Sequence, residues 1–367
     1  MEGFEMGKVK VLTARQAADL IKDGDTVTLS GFVANGIAEA LNAAAEERFL
    51  ETGHPKDLTL FWVAGTGNKD GSHADHYAHE GMVKKVIGGH FNFVPKICEM
   101  LSENKIEGYN VPQGAIAQML RDNAAHKVGT ISHVGIGTFA DPRNGGGRLS
   151  EKTKEDIVKV IELEGQEQLF YPRIPLDVAF IRGTYADELG NITLEKEMAP
   201  LDATSQAMAV HNNGGLVVVQ VERVVKAGHL DPKLVKIPGI YVDAVVECPA
   251  DDPKQSQSIN CTYDPAYAGN TQVPVSSLEP KKLDAKKIIG RRAAMELKKN
   301  VVVNLGVGVP EWVSSVAAEE GVADEMTLTV ECGPVGGVPG GGLRFGGSVN
   351  AQAYMDEGYQ FDFYDGG

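Results

Sequence analysis

The chain has 367 residues, 43% of them hydrophobic and 23% charged, and a formal net charge of -15. That length predicts roughly two domains with enough apolar content for a sizeable core. The charge argues against nucleic acid or an anionic membrane as the main partner, but leaves room for an anionic small ligand at a local cluster. Cys98, Cys248, Cys261 and Cys332 show no close pairing and no CxxC, which argues against a disulfide framework or a zinc site and for a reducing compartment. The first six residues lack the basic and apolar regions of a signal peptide, and no apolar run reaches membrane-spanning length. The expectation is a soluble cytoplasmic protein.

Helical spacing after Thr13 predicts a helix over 13–21. A strand follows over 26–30, then a loop from Gly31 to Gly36 and a helix over 37–45. Strand, glycine loop and helix form the repeating unit of a parallel α/β sheet. Further strands are predicted over 58–63, 83–86 and 131–134, each running into a glycine pair. The nearly continuous apolar runs 178–181 and 216–221 read as buried strands, with helices over 116–121 and 203–211 between the units. This gives a first α/β domain over 1–248. Residues 249–280 hold Asp, Pro, Gln, Ser and Asn without periodicity and read as a linker or exposed excursion.

The opening pattern then returns over 281–367, with a helix over 283–297, a strand over 301–305 and a helix from Val309. Val27-Thr-Leu-Ser-Gly31 aligns with Val302-Val-Asn-Leu-Gly306, and Gly36-Ile-Ala-Glu39 with Gly308-Val-Pro-Glu311. Either two related domains stand in tandem, or two βα units are alike by chance. The second copy is short, so the expectation is an incomplete second domain.

Thr327-Leu-Thr-Val330 is β-prone, Glu331 follows, and a glycine-rich loop runs from Gly333 to Gly342. A carboxylate at a strand end beside free backbone N–H groups can attack an acyl carbon while the loop holds the oxyanion. The plainer reading is an exposed Glu at a flexible turn. Gln113 opens an apolar helix as an amide donor or as a polar turn residue. His73, His76 and His79 are spaced to share a helix face, either as a metal site or as a partly exposed helix. The basic run Lys281, Lys282, Lys286, Lys287, Arg291 and Arg292 is a solvated helix face or a phosphate patch. There is no GxSxG and no GxxxxGK[ST]. Gly65-Thr-Gly67 and Gly135-Ile-Gly137 match GxGxxG only in part, which leaves a dinucleotide dehydrogenase as a minor alternative.

Several longer segments stand together: Tyr109-Asn-Val-Pro-Gln-Gly114, Gly135-Ile-Gly-Thr-Phe-Ala-Asp-Pro-Arg-Asn-Gly-Gly-Gly-Arg148, Val210-His-Asn-Asn-Gly-Gly215, Asn304-Leu-Gly-Val-Gly-Val-Pro-Glu311 and Glu331-Cys-Gly-Pro-Val-Gly-Gly337. With Leu29-Ser-Gly31, the run 182–195 and Gln220-Val-Glu-Arg223, the chain resembles the glutamate-dependent coenzyme A transferases of family I, in the propionate/short-chain acyl type with both halves on one chain. The resemblance implies two similar open α/β domains with the site between them. It implies Glu331 as nucleophile in a ping-pong exchange through a glutamyl-CoA thioester, with CoA as substrate and no tightly bound cofactor or metal. By position, Gly31, Phe32 and Val33 would face the acyl group, Gln113 would offer its amide, and Gly336, Gly337 and Gly341 would shape the CoA pocket. Acyl-CoA and short-chain carboxylates are the implied partners, with a homo-oligomer or a further chain supplying the family's C-terminal continuation. An acyl-CoA hydrolase on the same fold, or a non-catalytic CoA- or partner-binding fragment, is the alternative.

Overall fold

The computed structural model describes residues 7–259, 261–275 and 279–366. The first six residues, read above for a leader, lie outside the described residues, as do Asn260, 276–278 and Gly367.

Eight strands build the main sheet: β1 (Lys10–Leu12), β2 (Thr26–Leu29), β3 (Leu58–Trp62), β4 (Val83–Gly88), β5 (Glu107–Asn110), β6 (Val178–Arg182), β7 (Leu216–Val221) and β8 (Ala244–Glu247). Their order is β1-β8-β7-β6-β2-β3-β4-β5, and every pairing is parallel. Chain order runs outward from β2 to β5 on one side and from β6 to β8 on the other, so it reverses between β2 and β6. Ligands of open α/β sheets bind beyond the carboxyl ends of the strands near such a reversal.

Period-2 alternation loads both faces of this sheet. Leu60, Trp62, Val86, Phe180 and Val218 belong to one buried cluster, while Phe61, Ile87, Ile181, Val217 and Val219 belong to the other. Helices α1 (Ala14–Ala18), α2 (Glu39–Thr52), α3 (Pro95–Ser102), α4 (Gln113–Ala124) and α5 (Ala203–Asn212) cover the faces. α1 is shorter than its spacing predicts: Thr13 and Gln16 form a capping box, and the helix stops at a C-cap on Asp19. The strand expected over 131–134 forms one residue pair earlier, as Gly129–Ser132, and joins a separate antiparallel sheet with Lys159–Leu163 and Gln166–Pro172.

The remaining region holds α6 (Ala285–Ala294), β9 (Val302–Asn304), α7 (Glu311–Glu319), β10 (Thr327–Thr329), β11 (Pro334–Val335), β12 (Ala353–Tyr354) and α8 (Glu357–Tyr364). The strands lie in that order, with β9 and β10 parallel and the others antiparallel.

Between the regions, the stretch read as a linker or exposed excursion is exposed at many positions, 262–263 and 269–272 among them, and packs against its neighbours around 255–258. Gln255, Gln257 and Ser258 are buried. Gln220 Nε2 donates to the Lys254 carbonyl at 2.8 Å, and Gln255 Nε2 donates to that of Gly183 at 3.1 Å. Arg182, at the end of β6, donates to the Ser256 carbonyl and makes a buried 3.0 Å ion pair with Glu197. Ser258 Oγ then reaches the Leu343 carbonyl of the second region at 2.8 Å. Side-chain amides bonded to backbone carbonyls hold the chain over 254–257, which is why it carries no apolar period there.

Candidate active site

Loops after four consecutive strands open one cleft of about 460 Å³. Phe32 and Val33 follow β2, Gly65 follows β3, Gly89 and His90 follow β4, and Pro112 and Gln113 follow β5. The opposite wall comes from the turn through Val134, Gly135, Thr138 and Phe139, and from Val307, Glu331 and Phe345 of the second region. The sequence-predicted residues Phe32, Val33, Gln113 and Glu331 therefore meet in one place.

Gly31 sits just behind them, at φ +143°, where a Cβ would lie 2.3 Å from Thr66 Oγ1. Only glycine allows that approach, and it turns the chain so that Phe32 and Val33 enter the wall. Their backbone N–H groups are occupied: Phe32 N donates to the Asn35 carbonyl at 2.9 Å and Val33 N to the Gly65 carbonyl at 2.6 Å. These two residues thus present apolar surface to the cleft and no free backbone donor. Val33 adopts φ +52°, a costly conformation for a β-branched residue, and is held by Gly65 and by Gly67 N donating back at 2.6 Å. The Phe32 ring stacks on Phe345, with centroids 5.8 Å apart.

Glu331 follows β10 directly after buried Val330 and just before buried Cys332. Both neighbours pack into a cluster with Phe32, Val33, Leu201 and Phe345, so the first region grips the segment on either side of the carboxylate. Glu331 Oε2 is buried and has no hydrogen-bond partner. Burial pushes its pKa up, and hydrogen bonds from its own backbone N–H and from Asn304 offset part of that rise. Among the described residues no Lys or Arg lines the cleft directly, and the Lys69 ammonium lies 5.7 Å from the centre of the lining Phe93 ring. His90, which is there, has its pKa lowered by burial and by Lys69.

Gln113 is the first residue of α4, and its Nε2 donates to Glu357 Oε1. Gly336 and Gly337, at φ +77° and +74°, form the turn after β11 and do not line the cleft. Gly341 lines a separate hollow of about 960 Å³ that also contains Lys281, Glu319 and Arg344. His90, Phe93, Phe139, Phe345 and Glu357 were not anticipated. His90 had a signal in the preceding Gly88-Gly89, and Phe345 in its place just beyond the glycine-rich loop, whereas Glu357 had none.

The three histidines divide between burial and ion pairing. His73 is fully buried. His76 pairs with Glu39 at 2.7 Å and with Glu46 at 2.5 Å, and His79 pairs with Glu46 at 2.7 Å. Among the described residues no group is arranged to hold a metal ion. The basic run on α6 meets carboxylates, with Lys287 paired to Glu319 at 2.5 Å and Arg291 to Glu320 at 3.0 Å. No described helix is long and apolar enough to cross a membrane.

Residues 11–248 match the family model for Coenzyme A transferase. The chain is 43% identical over 364 residues to the acetate CoA-transferase YdiF of Escherichia coli (strain K12), covering 98% of this chain and 68% of that protein. It is 42% identical over 358 residues to the caffeate CoA-transferase of Acetobacterium woodii, with the same two coverages. The acyl-CoA transferase YdiF from Escherichia coli O157:H7, solved as a thioester complex with CoA, has a TM-score of 0.90 at 40% identity over 98% of this chain and 67% of that one. The chain thus spans about two thirds of the length of these relatives. It belongs to the family I coenzyme A transferases, enzymes that move CoA from one carboxylic acid to another.

Proposed function

We propose that the chain exchanges CoA between a short-chain acyl-CoA, of acetyl or propionyl size, and a carboxylic acid, with Glu331 as the acyl acceptor. The observation that carries this reading is the Glu331 carboxyl at the cleft wall, with one oxygen buried and unpartnered. A Glu331 oxygen attacks the thioester carbon, the C–S bond breaks, and CoA leaves as the thiolate. The thiolate then attacks the glutamyl carbonyl of the mixed anhydride, releasing the acyl group as a carboxylate and leaving a glutamyl-CoA thioester. An acceptor carboxylate runs the same two steps in reverse. No net proton is gained or lost, so the site needs preorganised donors and exclusion of water more than an acid or base. Gln113 supplies a side-chain amide for the developing oxyanion. Phe32, Val33 and Phe345 supply the dry wall.

An uncharged acyl group fits this wall. The same reading has two related α/β units meeting at the cleft, which is supported by the strand, glycine loop and helix order that β2–α2 shares with β9–α7. It also includes a homo-oligomer in the cytoplasm. The four cysteines are unpaired, as a reducing compartment allows.

The test is to incubate the protein with acetyl-CoA or propionyl-CoA, trap with borohydride or hydroxylamine, and map the modified peptide. Modification at Glu331 alone, with acceptor-dependent exchange, is expected. Glu331→Gln and Glu331→Ala should lose at least about a thousandfold in exchange rate. Turnover without an acceptor carboxylate would indicate a hydrolase, and full exchange in Glu331→Ala would sink the mechanism.

A further inference from the structure

We infer that Glu357 is a positioning residue for acyl transfer: it holds the Gln113 side-chain amide so that the remaining amide N–H is presented to the cleft. This rests on the reading of Glu331 as nucleophile and Gln113 as oxyanion donor.

A glutamine at a helix start has several rotamers, and ordering it costs entropy at the moment of reaction unless the protein has already fixed it. Here the fixing partner is visible. Gln113 Nε2 carries two hydrogens, and one goes to Glu357 Oε1. The other is left for the cleft that Gln113 lines.

Glu357 is itself immobilised. It is fully buried, and its backbone N–H donates to the Leu201 carbonyl at 2.9 Å. Gly114 lets α8 close on α4: a Cβ there would lie 2.9 Å from the Phe361 ring. Gln118 and Arg121 of α4 bond to Asp362 of α8 at 2.8 and 2.7 Å. On the other side, Gln360 Nε2 donates to the Gly333 carbonyl at 3.1 Å, two residues beyond Glu331. One helix therefore ties the proposed amide donor and the nucleophile's loop into a single frame.

The charge of Glu357 matters as much as its position. Its carboxyl is buried near the carboxyls of Asp202 and Glu331, and Oε2 has no partner. Burial first, then Asp202 and Glu331, favour the protonated form, against the opposing hydrogen bond from Gln113. A neutral carboxyl accepts the Gln113 hydrogen through its carbonyl oxygen without adding a charge that would oppose the departing thiolate.

The test measures Glu331 adduct formation in a single turnover with acetyl-CoA, alongside steady-state exchange. The proteins are wild type, Glu357→Leu, Glu357→Gln, Gln113→Ala and Gln113→Ala combined with Glu357→Leu. Glu357→Leu should lower kcat by about 30- to 100-fold while the KM for acetyl-CoA moves less than about threefold, because the interaction strengthens in the transition state. Glu357→Gln, whose amide oxygen can accept the same hydrogen, should recover most of that loss. In the Gln113→Ala background, Glu357→Leu should add less than about twofold. Adduct formation at the wild-type rate in Glu357→Leu, or the full penalty repeated in the Gln113→Ala background, would overturn the inference. If Glu357→Leu does not fold, Glu357→Gln decides, since a tenfold or larger loss there would overturn it on its own. Failure of the underlying reading is distinct, because wild type itself would then form no adduct at Glu331.

Discussion

The eight-stranded region and the region carrying Glu331 are built in different ways. The first has two large cores, one on each sheet face, with Phe180 and Val218 buried on one side and Ile181 and Val219 on the other. The second has a small cluster of its own, around Leu305, Val313 and Leu328. Its other buried apolar residues next to the site, Val330, Cys332 and Phe345, pack against Phe32, Val33, Ala34, Ala64 and Leu201 of the first. Ile288, Ile289 and Met295 on or beside α6 are exposed. The eight-stranded region is held by its own interior, whereas the segment bearing Glu331 takes much of its packing from the neighbouring region. The geometry of the site is therefore a property of the interface.

The largest expected effect comes from removing the shared cluster. Phe345→Ala should cost about 3–5 kcal/mol, as do other large aromatic truncations in cores, and should cost more than Val313→Ala in the small local cluster. The two tryptophans make this measurable, because Trp62 is in β3 and Trp312 is in α7. With each tryptophan replaced by Phe in turn, denaturant unfolding followed by fluorescence reports the two regions separately. In Phe345→Ala the Trp312 transition should move to lower denaturant by more than the Trp62 transition, and CoA exchange should fall with it. Equal shifts would show that the two regions unfold as one unit.

Acid should act on the other side of the comparison. His73 is fully buried against Trp62, with ring centroids 6.2 Å apart, and burial pulls its pKa down to about 3. Between that value and the ordinary histidine range the unfolded chain binds a proton that the folded chain does not, so stability falls as pH falls. At pH 5 the loss is about 2 kcal/mol. His76 works in the opposite sense: burial lowers its pKa, but Glu39 and Glu46 outweigh burial and raise it. Its contribution is complete below the unfolded value and disappears as pH rises through the folded value. Acidification to pH 5 should thus move the Trp62 transition more than the Trp312 transition. His73→Gln should flatten that acid dependence, as a pH series of denaturant midpoints would record.

What could be read from the sequence follows the same division. Five of the eight main strands, β2, β3, β4, β6 and β7, were legible, β6 and β7 as nearly continuous apolar runs because both sheet faces are buried, whereas β1, β5 and β8 are runs of three or four residues in which Lys10, Glu107 and Glu247 interrupt the apolar signal. Phe32, Val33, Gln113 and Glu331 were named through the family resemblance; from the residues alone Gln113 and Glu331 left a plain turn reading open, and the structure brings all four to one cleft. Over 254–257 amide-to-carbonyl bonds of Gln220, Gln255 and Gln257 hold the chain and leave no apolar period to read. Glu357 was not legible, because a carboxylate at the start of α8 looks like any surface helix start until α8 docks on α4. Gly336, Gly337 and Gly341 were named through the resemblance as shaping the CoA pocket; Gly336 and Gly337 make the turn after β11, and Gly341 lines the second hollow.

The smallest effect expected is at the rim of the α4–α8 contact. Arg121 bonds to Asp362 at 2.7 Å, and its guanidinium also lies 4.7 Å from the centre of the Tyr359 ring. Both charged side chains are more than a third exposed, so water and salt screen them, and pairs of this kind contribute under about 1 kcal/mol. Asp362→Asn should therefore leave the Trp62 transition in place and shift the Trp312 transition slightly, by less in high salt than in low salt. It removes the charge but keeps an oxygen that can accept from Gln118, so Glu357 should stay seated against Gln113 and the exchange rate should hold. A loss of exchange as large as that expected for Glu357→Leu would mean that the frame around Gln113 is clamped from this exposed rim and not from the buried carboxyl.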